Sequence, residues 1–171
     1  VLMENAPLVA DCVAAMRDAC DVPVTVKCRI GVDDQDPAEV LPDFIARVSA
    51  AGVARFSIHA RKAWLQGLSP KENRDIPPLD YDLVGDLKAA RPDLTIILNG
   101  GIPDIAACTE HLQRFDGVML GRAAYQTPAL LGEVDAALFG EGETCSPFEA
   151  LEAYRPYMAA RLEEGVGLHG M

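Results

Sequence analysis

Two hydrophobic periods take turns along this chain. Leu8, Val9, Cys12, Val13 and Met16 recur at helical spacing behind Asn5, a natural N-cap ahead of Pro7, and predict a helix to about Asp21. Residues 22–31 are β-branched and alternating, which predicts a strand ending in a turn. Asp36-Pro37-Ala38-Glu39 then opens a second helix with a capping acid, proline at the first helical position and an early acid. Its apolar face is Val40, Leu41, Phe44, Ile45 and Val48, and Gly52 is a natural stop. The alternation continues with strands over 56–60, 94–98 and 117–120 and helices over 83–90 and 104–113. After Arg122 it ceases. Two further helices are expected over 128–139 and 147–164, joined by an acidic, glycine-bearing linker at 140–146.

Strands that alternate with helices imply βα units and a parallel sheet. Successive strand residues point to opposite faces, so the strands also sort their side chains. Val24, Val26, Cys28 and Ile30 share one face, and Thr25, Lys27 and Arg29 share the other. Phe56, Ile58 and Ala60 likewise oppose Ser57, His59 and Arg61. Helices cover the outside of such a sheet, so the polar face is expected to line a barrel mouth, the place of the active site in (β/α)₈ barrels. Asn99-Gly100-Gly101 and Gly121-Arg122 put glycine where a strand ends and a helix follows, a backbone suited to holding phosphate with Arg122 as a charged fork. Barrels often build this cup after strands 7 and 8. The fold class expected is therefore α/β, a partial (β/α)₈ barrel containing strands 5–8, followed by a helical segment. Residues 1–125 are assigned to the half-barrel and 126–171 to the start of a helical domain, with strands 1–4 expected outside this chain.

Composition changes the picture in two ways. The 171 residues carry a formal charge of −11, which taken alone speaks against a nucleic-acid partner. The charge is unevenly spread, however. Arg55, Arg61, Lys62, Lys71 and Arg74 face only Glu72 within 55–74, whereas residues 133–152 hold six acids and no lysine or arginine. A basic loop beside a phosphate cup suits a polyanion, with Trp64 available for stacking or for packing the loop. The five cysteines form no CxxC pair, and reduced thiols in a cytoplasmic protein are expected. The three histidines are scattered, so no metal site is expected; no apolar run reaches membrane-spanning length, and His111 reads as a surface or packing residue. Gly165 to Gly170 spells GxGxxG but follows a helix, which is the wrong setting for a dinucleotide turn.

The segments Val24-Thr25-Val26-Lys27-Cys28-Arg29-Ile30-Gly31, Ile58-His59-Ala60-Arg61-Lys62-Ala63-Trp64-Leu65 and Gly67-Leu68-Ser69-Pro70-Lys71-Glu72-Asn73-Arg74 closely resemble the tRNA-dihydrouridine synthase family, A-type subgroup. Asn99 to Ile102 and Gly117 to Gln126 match as well. The resemblance implies an FMN-dependent (β/α)₈ barrel with a helical domain that grips tRNA. NADPH reduces the flavin, and hydride passes to C6 of a D-loop uridine, with positions 20 and 20a expected. It further implies that Lys27 hydrogen-bonds the N1/O2 edge of the isoalloxazine and that His59 sits against the ring system. Asn99, Gly100, Gly101, Gly121 and Arg122 would hold the FMN phosphate, and Lys71, Arg74 and Arg61 would face tRNA. The family's proton-donating cysteine is expected upstream of Val1, so this chain alone is expected to be inactive and to hold FMN weakly. Two other readings fit the same residues: a non-catalytic half-barrel that binds phosphate or RNA, and an FMN barrel of the dihydroorotate dehydrogenase type. The basic, Trp-bearing stretch 61–73 has no evident use in the latter.

Overall fold

The computed structural model describes residues 2–167 and 169. They form two compact units, Val1–Gly121 and Arg122–Met171.

In the first unit, helices and parallel strands alternate as α1 (Ala6–Ala19), β1 (Val26–Arg29), α2 (Pro37–Ala50), β2 (Arg55–His59), α3 (Tyr81–Ala90), β3 (Thr95–Asn99), α4 (Ile105–His111) and β4 (Gly117–Met119). The strands lie side by side in the order β1-β2-β3-β4. All three pairings are parallel. A parallel sheet needs crossovers, and α2, α3 and α4 supply the three between these strands. Capping explains where the helices begin. The side chains of Asn5, Asp36, Asp80 and Asp104 accept hydrogen bonds from Leu8, Ala38, Leu83 and Ala107 N–H.

One core holds this unit together. Leu41, Phe44, Ile45 and Val48 of α2, Val84 and Leu87 of α3 and Cys108 of α4 are buried, as are Phe56, Ile58, Ile96 and Leu98 of the sheet. Each such side chain contributes roughly 1.5–3 kcal/mol by leaving water. The first ladder is shorter than residues 22–31 suggest. Val22 is 68% exposed and Pro23 has no N–H to donate, so pairing begins only at Val26. Beyond Arg29 the chain bends, and Val32 bridges Ala63 to carry the pairing into the following loops.

The second unit contains α5 (Arg122–Gln126), a 3-10 turn (Pro128–Glu133), a π-helical turn (Asp135–Phe139) and α6 (Pro147–Glu163). The single helix expected over 128–139 is thus two tight turns of different pitch. Gly132 C=O accepts from Cys145 N–H at 2.9 Å, which takes that carbonyl out of any continuous helical ladder. Ser146 and Glu149 cap α6 reciprocally, so its start matches the sequence. The stretch Gly165 to Gly170 lies partly outside the described residues.

Candidate functional site

Register decides which side chains share the polar face of the sheet. Lys27 pairs with Ser57, Ser57 with Ile97, and Ile97 with Gly117. One step on, Arg29 pairs with His59, His59 with Asn99, and Asn99 with Met119. In parallel strands paired residues point the same way, and adjacent strands lie about 4.8 Å apart. The polar residues therefore form two rows: Lys27 with Ser57, and Arg29 with His59 and Asn99. Phe56, Ile58, Ile96 and Leu98 occupy the opposite, buried face.

Charge on these rows is mostly positive. Partial burial lowers the affinity of the Lys27 ammonium for its proton, and the neighbouring Arg29 lowers it further. Arg29 is depressed by burial first and then by Arg61 and Arg74. A site that holds cations this close in a sheltered place is prepared for an anion.

The turn after β3 is built by glycine. Gly100 has φ +107° and Gly101 φ +70°. A Cβ on Gly100 would stand 2.4 Å from the His59 ring, so only glycine lets the backbone pass beneath the imidazole. Three hydrogen bonds then fix the turn. Asn99 Nδ2 donates to Met119 C=O at 2.7 Å, Ala60 N–H donates to Asn99 C=O at 3.0 Å, and the Tyr81 hydroxyl donates to Gly100 C=O at 2.7 Å. Tyr81 in turn meets His111 edge-on at 4.6 Å, so His111 packs. The helix that follows adds less than its position suggests. Its first turn is already occupied by the Asp104 carboxylate, which accepts from Ala107 N–H at 2.8 Å. Any phosphate at this turn would rest on glycine backbone, not on a free helix end. Gly121 is exposed, with nothing within 4 Å of where a Cβ would be, and Arg122 opens α5 in the second unit.

Arg61 to Asp80 forms the basic loop, and its cations divide into two kinds. Arg29 Nη1 donates to Lys62 C=O at 2.8 Å and Asn73 C=O at 2.9 Å. Arg61 Nη1 donates to the carbonyls of Asp75 and Pro77, while its Nε is buried with no hydrogen-bond partner among the described residues. These two guanidinium groups organise the loop from within. Lys62 lies over the Trp64 ring at 5.2 Å, and the exposed Lys71 has no side-chain hydrogen bond or ion pair among the described residues. Arg74 Nε donates to Pro70 C=O at 2.8 Å. The inward turn of Arg61 was not legible from residue type, since a surface cation and a loop strut look alike in sequence.

No thiol stands at this face. Cys28 is on the buried side of β1, where burial pushes its thiol up to about 12. Among the described residues no His, Cys, Asp and Glu cluster is able to hold a metal, and no helix is long and apolar enough to cross a membrane.

Residues 1–171 match the family model for dihydrouridine synthase. The chain belongs to the dihydrouridine synthase family. A tRNA-dihydrouridine(20/20a) synthase of Pseudomonas syringae pv. tomato is 56% identical over 98% of this chain and 50% of its own length. The corresponding synthase of Escherichia coli K12 is 55% identical over 98% of this chain and 49% of its own. The chain thus spans about half the length of the curated dihydrouridine synthases it matches. In dihydrouridine synthase terms, the basic loop and the two polar rows are where this chain concentrates its unusual chemistry.

Proposed function

We propose that this chain forms the cofactor-holding and tRNA-facing part of an FMN- and NADPH-dependent tRNA-dihydrouridine synthase. The enzyme reduces D-loop uridines, at positions 20 and 20a, to 5,6-dihydrouridine in the cytoplasm. On this reading β1–β4 are strands 5–8 of a (β/α)₈ barrel, and 126–171 begins a helical tRNA-binding domain. The observation that carries it is the alignment of Lys27, His59 and Asn99 on one face, beside a turn whose glycines have positive φ.

The residues fit FMN by their chemistry. An isoalloxazine edge and a phosphate are both rich in acceptors, and this face supplies ammonium and backbone N–H donors with no carboxylate in either row. Bound FMN supplies the hydride chemistry. Lys27 donates hydrogen bonds to the N1/O2 edge, and its lowered proton affinity makes it a stronger donor. His59 packs against the ring system. By the family resemblance, Asn99, Gly100, Gly101, Gly121 and Arg122 would hold the phosphate. Lys71 and Arg74 face tRNA, with Arg61 as the strut beneath them. The proton donor is the cysteine that the family resemblance puts upstream of Val1.

In a full-length synthase carrying this segment, Lys27→Ala and Arg122→Ala are each expected to release the flavin on gel filtration. A normal flavin spectrum in both variants would refute these assignments. The 171-residue chain by itself is expected to show no tRNA-dependent NADPH oxidation, and measurable turnover would show that the acid lies within it.

A further inference from the structure

The loop from Arg61 to Asp80 is longer than a typical connection, and such a loop is ordered only if something holds it. Asn73 is what holds it. Its Oδ1 accepts from Trp64 N–H at 2.7 Å, and its Nδ2 donates to Trp64 C=O at 2.6 Å, to Leu68 C=O at 3.3 Å and to Ser69 C=O at 3.4 Å. One carboxamide thus ties the two arms of the loop together, using its acceptor and both faces of its donor. The Asn73 backbone carbonyl then takes Arg29 Nη1 at 2.9 Å, and the same Nη1 holds Lys62 C=O. Arg29 lies in the row that contains His59 and Asn99. Glu72 and Ser69 close the loop locally, with Ser69 N–H on the Glu72 carboxylate at 2.8 Å. Asp33 anchors its first arm by accepting from Leu65 N–H at 2.8 Å.

All of these bonds are spent on loop backbone. They leave Lys71 exposed, Lys62 and Trp64 half-buried against each other at the loop surface, and the loop registered to the polar rows. We propose that Asn73, clamped by Arg29, is a positioning residue that presets this loop as a rigid docking surface for RNA. A nucleic acid that docks on Lys62, Trp64 and Lys71 then meets the Arg29–His59–Asn99 row at a set distance. The inference rests on the functional reading above and adds to it the device that couples docking to the site. Asn73 itself need not touch RNA.

A positioning role and a contact role differ in their salt dependence. In a full-length synthase carrying this segment, Asn73→Ala frees the loop, which must then be ordered on binding. Re-ordering one or two residues is worth about tenfold in affinity, so KM for tRNA is expected to rise about tenfold with kcat at saturating tRNA little changed. The bound state keeps the same phosphate contacts, so the slope of log Kd against log salt is unchanged. Lys71→Ala, by contrast, is expected to lower that slope by roughly one. Trypsin clipping after Lys62 and Lys71, measured without RNA, is expected to be about tenfold faster in Asn73→Ala. Asn73→Asp keeps the acceptor but sets a carboxylate oxygen against the Trp64, Leu68 and Ser69 carbonyls, and is expected to speed clipping at least as much as Asn73→Ala. Unchanged clipping, or a loss of affinity with a shallower salt slope, would overturn the proposal. If wild-type synthase itself fails to bind tRNA, the functional reading fails, and the clipping still decides whether Asn73 orders the loop.

Discussion

The two units bury very different amounts of themselves. Among the described residues every buried apolar side chain except Leu130 belongs to the first unit. In the second, Tyr125, Phe139 and Phe148 are 89%, 69% and 81% exposed, and the exposed Tyr154 and Tyr157 rings meet at a tilt with centroids 5.0 Å apart. The first unit is therefore ordered by a core, and the second by local signals: a capping box, tight turns and a left-handed glycine. A site that must hold side chains in register belongs on the first kind of structure.

The largest expected effect follows from that contrast. Phe56→Ala or Ile58→Ala empties the centre of the core, where both side chains are fully buried, and each is expected to destabilise the first unit by about 2–5 kcal/mol. Phe148→Ala removes a ring that already faces water and should change stability by less than about 0.5 kcal/mol. Denaturant titration of the three variants measures both sides. Equal losses would mean that α6 is held by packing after all.

Backbone substitutions should give a smaller separation. Gly100→Ala meets a positive φ and the His59 ring together, and is expected to cost about 2 kcal/mol or more. Gly140→Ala meets a positive φ of 66° in open space, which costs about 1 kcal/mol. Ser146→Ala deletes the cap of α6 and is expected to cost about 1 kcal/mol, read as lost helicity. If Gly100→Ala proves as mild as Gly140→Ala, the close passage of the turn under His59 is not tight.

The same contrast explains what the sequence made legible. Alternation in 26–29 and 55–59 sorted Lys27 and His59 from Phe56 and Ile58, because a sheet covered by helices converts residue order directly into faces. Asn5 and Asp36 marked helix starts because capping is local. Two features escaped. Residues 128–139 have helical composition, yet a long-range bond from Cys145 to Gly132 breaks the ladder, and no window of local sequence contains it. Asn73 and Arg61 were hidden for a related reason. Their partners are backbone groups, which carry no residue-type signal. The N-terminus of α4 is a different case: the Asp104 side chain accepts from Ala107 N–H, and a cap excludes the free helix end that a phosphate would use.

Charge pairs give the finest test of the contrast. In the first unit Lys88 Nζ lies 2.7 Å from the Asp116 carboxylate, and Ile96 N–H donates to the same oxygen at 2.8 Å. Partial burial works to raise the Asp116 pKa, but Lys88 and the Ile96 N–H outweigh it and hold it below the ordinary value of about 3.9. A carboxylate whose folded pKa is depressed contributes stability above its unfolded pKa and loses that contribution as the pH falls through the folded value. Asp116→Asn is therefore expected to lose up to about 1 kcal/mol at neutral pH, with the gap to wild type closing below about pH 4. In the second unit Arg155 and Glu152 form a pair whose side chains are 67% and 65% exposed. Glu152→Gln should leave stability unchanged across the same pH range, because water and salt already screen that pair. Urea titrations of both variants at neutral and acidic pH separate the cases. The contrast holds only if the pH-dependent loss is confined to Asp116, since the backbone N–H that joins its ion pair is available on β3 just before its pairing with β4 begins and absent from the face of a solvated helix.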